Sequence, residues 1–221
     1  MKMKNVAAVA MAGCMAASLA ACGGSASSAA STETSTAAST EAATGEESTG
    51  VASGFTVQLG SNPETLDPAL NSAIDGANTL ITVFEPLLLI DENNEVIPGQ
   101  AESYTVSEDG LTWTFTMRDG LKWSDGSDLT AKDFEYSFKR LAAPDTAAPY
   151  AETVVGMIDG YADATGNPDK QGNMTTEPDF DALNVVASED GKTLTVTLSY
   201  PCAYFDKLAA FAAMSPVQQA T

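Results

Sequence analysis

A ten-residue phrase is written twice in this chain. Residues 107–116 read SEDGLTWTFT and residues 188–197 read SEDGKTLTVT, identical at seven of ten positions. Each phrase opens on Ser-Glu-Asp-Gly. That stretch reads as a turn. Each then alternates Thr with an apolar residue: Trp113, Phe115 and Met117 in the first copy, Leu194 and Val196 in the second. A period of two is a strand with one buried face. Reactive chemistry needs one set of groups in one place, so a turn and strand repeated far apart reads as scaffold. The repeat therefore reads as a hairpin rule used twice.

The rest of the pattern is mixed. FTVQLG (55–60) reads as a short strand, and SNPETLDPALNSAIDG (61–76), with Pro63 and Pro68, as a long loop. A helix is expected over 77–85, ended by Pro86, then a buried strand and turn within 87–99. Thr130 followed by Asp133 resembles a capping box, and Phe134, Phe138 and Leu141 give the apolar stripe of the helix it opens. A second helix is expected over 148–158, a polar surface insertion over 160–182, a second hairpin from NVVA and KTLTVTL, and a helix over 204–212. Strands mixed with helices make this an α/β or α+β lobe.

The folding part does not start at residue 1. Residues 1–22, MKMKNVAAVAMAGCMAASLAAC, have a charged start (Lys2, Lys4) and an apolar run, Val6 to Leu19, too short to span a bilayer stably. That is an export signal. Its end, Leu19-Ala20-Ala21-Cys22, resembles the lipobox of bacterial lipoproteins, which implies cleavage after residue 21 and a lipidated Cys22 that anchors the protein to the membrane. Residues 22–54 form a Ser/Thr/Ala-rich tether with no aromatic residue and one branched aliphatic, Val51. Such a segment buries too little apolar surface to offset its chain entropy. The folded domain is expected over 55–221.

Composition narrows the function. Without residues 1–21 the chain keeps 8 basic and 30 acidic residues, a formal charge of −22, which excludes nucleic acid as a partner. There is no His, so Ser-His-Asp and Cys-His catalysis and His-ligated metals are absent from this chain. Cys14 leaves with the signal and Cys22 is the lipid site, so Cys202 stands alone, without a disulfide, and reads as a small buried hydrophobe. DGSD at 125–128 lacks calcium-loop spacing. Trp113 and Trp123 read as core rather than as sugar platforms. Thirty acids make any chosen carboxylate pair uninformative, which leaves a secreted carboxylate-dependent hydrolase as a rival reading. Asn173-Met174-Thr175 matches a glycosylation triplet by chance. No cofactor is expected.

In series, TLDPALNSA (65–73), VFEPLL (83–88), VIPGQAESYTVSEDGLTWTFTMRDGLKWSDGSDLTAKDFEYSFKRL (96–141), PDTAAPYAE (144–152) and LTVTLSYPCAYFDKLAAFAAMSPV (194–217) resemble the extracytoplasmic peptide-binding proteins of bacterial ABC importers. The resemblance implies a class II periplasmic-binding-protein-like fold: most of lobe I, with a mixed sheet, flanking helices and β-hairpins. It implies a monomeric, lipid-anchored, extracytoplasmic protein, not an enzyme, that closes around di- or oligopeptides and delivers them to membrane permease subunits. Other members of the family take nickel chelates, sugars or haem. Peptide is expected to lie along Ser72, Ala73 and Ile74, just past the Leu66-Asp67-Pro68 motif, and against Tyr150. Where some oligopeptide-binding members carry an acid, this chain has Ser72. The family is two-lobed, so the 221 residues are expected to be part of a longer protein lacking here its second lobe and hinge.

Overall fold

In the computed structural model, residues 58, 60–168 and 174–219 are described. The expected strand at 55–60, the signal, the tether, Cys22 and Asn173 lie wholly or largely outside them.

The repeated phrase governs the architecture. In the first copy Ser107 Oγ donates to Asp109 Oδ1 (2.5 Å), which also accepts the Leu111 N–H, while the Thr112 N–H donates to Ser107 Oγ. In the second, Ser188 Oγ donates to Asp190 Oδ1 (2.6 Å), which also accepts the Lys192 N–H, and the Thr193 N–H donates to Ser188 Oγ. Gly110 and Gly191 sit at φ 73° and 70°, the left-handed conformation that this turn requires. Each turn joins a hairpin: β3 (Ala101–Val106) to β4 (Thr112–Met117), and β7 (Val185–Ala187) to β8 (Thr193–Thr197). The hairpins join through β4 and β8 into one four-stranded sheet of order β3-β4-β8-β7.

One face of β4 carries Trp113, Phe115 and Met117, all buried, beside buried Leu194 and Val196 of β8 and Val185 of β7. The opposite face carries Thr112, Thr114 and Thr116 directly across from Thr197, Thr195 and Thr193. β-branched residues suit such a pleated, half-buried surface, and cross-strand Thr pairs add to it. Every strand pairing among the described residues is antiparallel. The mixed α/β class is found, but the sheet itself is not mixed: each hairpin is closed by a short turn, which only antiparallel partners allow.

The long helix α2 (Ala131–Ala142) lies against β7 and β8. Its start is the capping box read from the sequence: Thr130 Oγ1 accepts the Lys132 N–H, and Asp133 Oδ2 accepts the Thr130 N–H at 2.8 Å. Phe134, Phe138 and Leu141 are buried on its inner face. Helix α1 (Ile74–Val83) begins three residues earlier than expected and ends just before Phe84 and Pro86. The segment 87–99 is a hairpin rather than one strand, β1 (Leu88–Ile90) with β2 (Val96–Pro98). Asp91 Oδ1 accepts the N–H groups of Asn93 and Glu95, and Asn94 takes φ 65°.

Helix α3 (Ala151–Val155) is shorter than the expected 148–158 span, because the chain turns at Gly156. The polar insertion holds α4 (Tyr161–Thr165), anchored by buried Ala164, and a small β5–β6 ribbon (Asn167–Pro168, Met174–Thr176). The helix expected over 204–212 is only α5 (Phe205–Leu208), followed by a 3-10 turn at Ala212–Met214. The Ala209 carbonyl there accepts the Leu88 N–H, which ties the Ala-rich run to β1. Phe205 packs edge-on under Trp113, with ring centres 5.3 Å apart. No helix among the described residues is long and apolar enough to cross a membrane.

Candidate functional site

The loop expected to meet ligand is held from below. Asp67 turns the chain after Leu66: its carbonyl accepts the N–H groups of Leu70 and Asn71, and its Oδ1 accepts the Ala69 N–H. Arg140, near the end of α2, forks the same carboxylate, Nη1 to Oδ1 at 2.9 Å and Nη2 to Oδ2 at 2.5 Å. A two-pronged guanidinium–carboxylate pair fixes direction as well as distance. Hydrogen bonding from Arg140 holds the Asp67 carboxyl below the ordinary carboxylate range, although burial pushes the other way.

Asn71, 8% exposed, then donates from Nδ2 to the Ala73 carbonyl at 3.1 Å, and the Ala77 N–H donates to the same oxygen at 3.0 Å. Gly76 is needed for this. A Cβ at Gly76 would lie 1.9 Å from Asn71 Oδ1. Ser72, Ala73 and Ile74 all stand exposed, Ile74 at 79%. Ala73 is extended (φ −107°, ψ 148°), and its carbonyl is turned into α1. Among the described residues nothing hydrogen-bonds the N–H groups of Ser72, Ala73 and Ile74 or the Ser72 carbonyl. The loop thus presents one extended residue, Ala73, at the start of α1, with open donors and an open acceptor beside it.

Tyr150 sits at the start of α3, which packs on α2. Its ring meets Phe211 edge-on, with centres 5.3 Å apart and planes at 85°. Its hydroxyl has no hydrogen-bond partner among the described residues. No hydrogen bond or ring contact joins Tyr150 to the 72–74 loop. The two share supports instead: α2 holds the loop through Arg140 and carries α3, while α1 packs on the 212–214 turn that follows Phe211. Phe211 and Arg140 were not singled out from the sequence. Arg140 meets a partner 73 residues away, which local spacing does not signal.

A cavity of about 720 Å³ opens elsewhere, between Leu66, Phe84, Gln100, Trp123, Leu129 and Val217, and includes none of the four expected contacts. Trp113 is core as expected, and Trp123, half-buried at this cavity's wall, packs against that core. Among the described residues no group of three or more Cys, Asp or Glu is placed to hold a metal ion.

Comparison with known proteins decides the family. The family described as "Bacterial extracellular solute-binding proteins, family 5 Middle" matches residues 95–221. The chain belongs to this family. Among its relatives, the periplasmic murein peptide-binding protein MppA of Escherichia coli K12 is 35% identical over 162 residues, 72% of this chain and 28% of the relative. The periplasmic oligopeptide-binding protein OppA of Salmonella typhimurium is 39% identical over 159 residues, 72% of this chain and 27% of that protein. The unliganded open form of MppA superposes with a TM-score of 0.62 over 72% of this chain and 29% of that one, at 35% identity. Haemophilus influenzae OppA in complex with RPPGFSPFR gives 0.62 over 73% and 30%, at 29% identity. The family 5 chain described here thus spans between a quarter and a third of the length of these relatives.

Proposed function

We propose that this chain is the ligand-capturing part of an ABC importer's solute-binding protein, and that the ligand is a di- or oligopeptide delivered to membrane permease subunits. The observation that carries the reading is the exposed loop entering α1, where Ala73 is extended and the Ser72, Ala73 and Ile74 N–H groups are open among the described residues, in a chain whose relatives include oligopeptide-binding proteins. Extended peptides bind such a segment as an added strand, through main-chain bonds that tolerate many side chains. Tyr150, whose hydroxyl has no partner among the described residues and whose ring is braced by Phe211, supplies a second contact. Cys22 is the lipid attachment site, residues 22–54 are the tether, and the protein works as a monomer on the extracytoplasmic face. Two acyl chains hold a protein stably where one does not.

Ligand closes two lobes around itself, a shift in population driven by tighter binding to the closed state. Residues 55–221 on their own correspond to less than a third of the length of the relatives and should bind peptide weakly. Uptake tests the importer reading. Cells lacking the gene should lose accumulation of a labelled tripeptide, and the restored gene should recover it. Unchanged uptake in the deletion strain, with no other peptide importer present, would rule this function out.

A further inference from the structure

We infer that Arg140, acting through Asp67, is a positioning residue for the ligand loop Ser72–Ile74. The inference rests on the peptide reading of that loop. A continuous chain of bonds runs from α2 to the loop. The Arg140 guanidinium forks Asp67, the Asp67 carbonyl takes the Asn71 N–H, and the Asn71 side chain takes the Ala73 carbonyl. The result fixes the Ala73 carbonyl toward α1, while the N–H groups of Ser72, Ala73 and Ile74 and the Ser72 carbonyl stay open among the described residues. Both residues of the pair are about three-quarters buried, with side-chain exposures of 24% for Arg140 and 26% for Asp67.

The adjacent cation supplies the contrast. Lys139 is 8% exposed and bonds Glu135 at 2.8 Å and Asp181 at 3.0 Å, on the side of α2 that faces the second hairpin. Loss of either cation removes an ion pair from the same helix. Only loss of Arg140 releases the turn that carries the loop. A merely structural role would make the two variants alike.

The test is calorimetric titration of the full-length protein with a mixed pool of tri- to pentapeptides, at a temperature where circular dichroism shows every variant folded. Arg140→Ala should weaken binding at least tenfold. Lys139→Ala should stay within twofold of wild type even though its melting temperature falls. Arg140→Lys keeps the charge but not the fork and should stay within threefold of Arg140→Ala. The double variant Asp67→Ala/Arg140→Ala should bind no more weakly than the worse single variant, since the two residues act as one unit. Amide exchange at residues 71–77 should quicken in Arg140→Ala and not in Lys139→Ala.

Multiplying losses in the double variant, equal losses in Lys139→Ala and Arg140→Ala, or unchanged affinity in Arg140→Ala would each overturn the inference. A Tyr150→Ala arm separates it from the reading beneath. Weakened binding there with unchanged Arg140→Ala refutes the positioning role and keeps the peptide reading. Wild type that binds no peptide refutes both.

Discussion

Thr114 of β4 lies directly opposite Thr195 of β8, and each is the same position of the repeated phrase. The pairs around them mirror one another about this point: Trp113 faces Val196 as Phe115 faces Leu194, and Tyr104 pairs with Phe115 as Val185 pairs with Val196. The sheet is one hairpin pattern used twice, related by a local two-fold axis through the Thr114–Thr195 pair.

Matching positions should then have matching energetic weight. Ser107→Ala and Ser188→Ala each remove a hydroxyl that links the turn Asp to a strand N–H. Each should cost about 0.5–1.5 kcal/mol in urea unfolding, with the two values within error of one another. A loss confined to one copy would mean that the turns are equivalent in geometry but not in energy.

Acid should act on the loop anchor in a defined window. The Asp67 carboxyl is held below its ordinary range, first by hydrogen bonding from Arg140, against the opposing effect of burial. A depressed folded value means that its stabilisation is complete above the unfolded value of about 3.9 and is lost as pH falls through the folded value. Unfolding stability measured from pH 6 to pH 2 should therefore fall less steeply below about 4 in Asp67→Asn than in wild type. Parallel curves would show that the pair does not stabilise the fold.

Cys202 is 4% exposed, between Leu198 and Phe205 of the core. A thiol reagent should label it in the native protein far more slowly than in urea, at a rate that tracks opening of the fold. Equal rates would contradict burial.

What was legible in the sequence is what a few neighbouring residues encode. The SEDG turns, the alternation of β4 and the Thr130–Asp133 cap each need only local spacing, and each is found. Pairings set by packing were not legible. Asp67 and Arg140 lie 73 residues apart, and nothing near either names the other. The Ala-rich run after Phe205 has the propensity of a helix, yet the Ala209 carbonyl serves the Leu88 N–H of β1, and tertiary pairing overrides propensity. Of the site, Ser72, Ala73, Ile74 and Tyr150 came from family resemblance, whereas the Arg140 brace and the Phe211 ring came only from the fold.

The most direct measurement is peptide affinity of the full-length protein with Tyr150 intact, reduced to Phe, and reduced to Ala. The account predicts that wild type binds peptide with a saturable isotherm. Tyr150→Phe should lose about 0.5–1.5 kcal/mol, the net worth of one hydrogen bond, and Tyr150→Ala should lose more as the ring leaves Phe211. Absence of peptide binding in wild type, or equal affinity in wild type and Tyr150→Ala at matched stability, would contradict it.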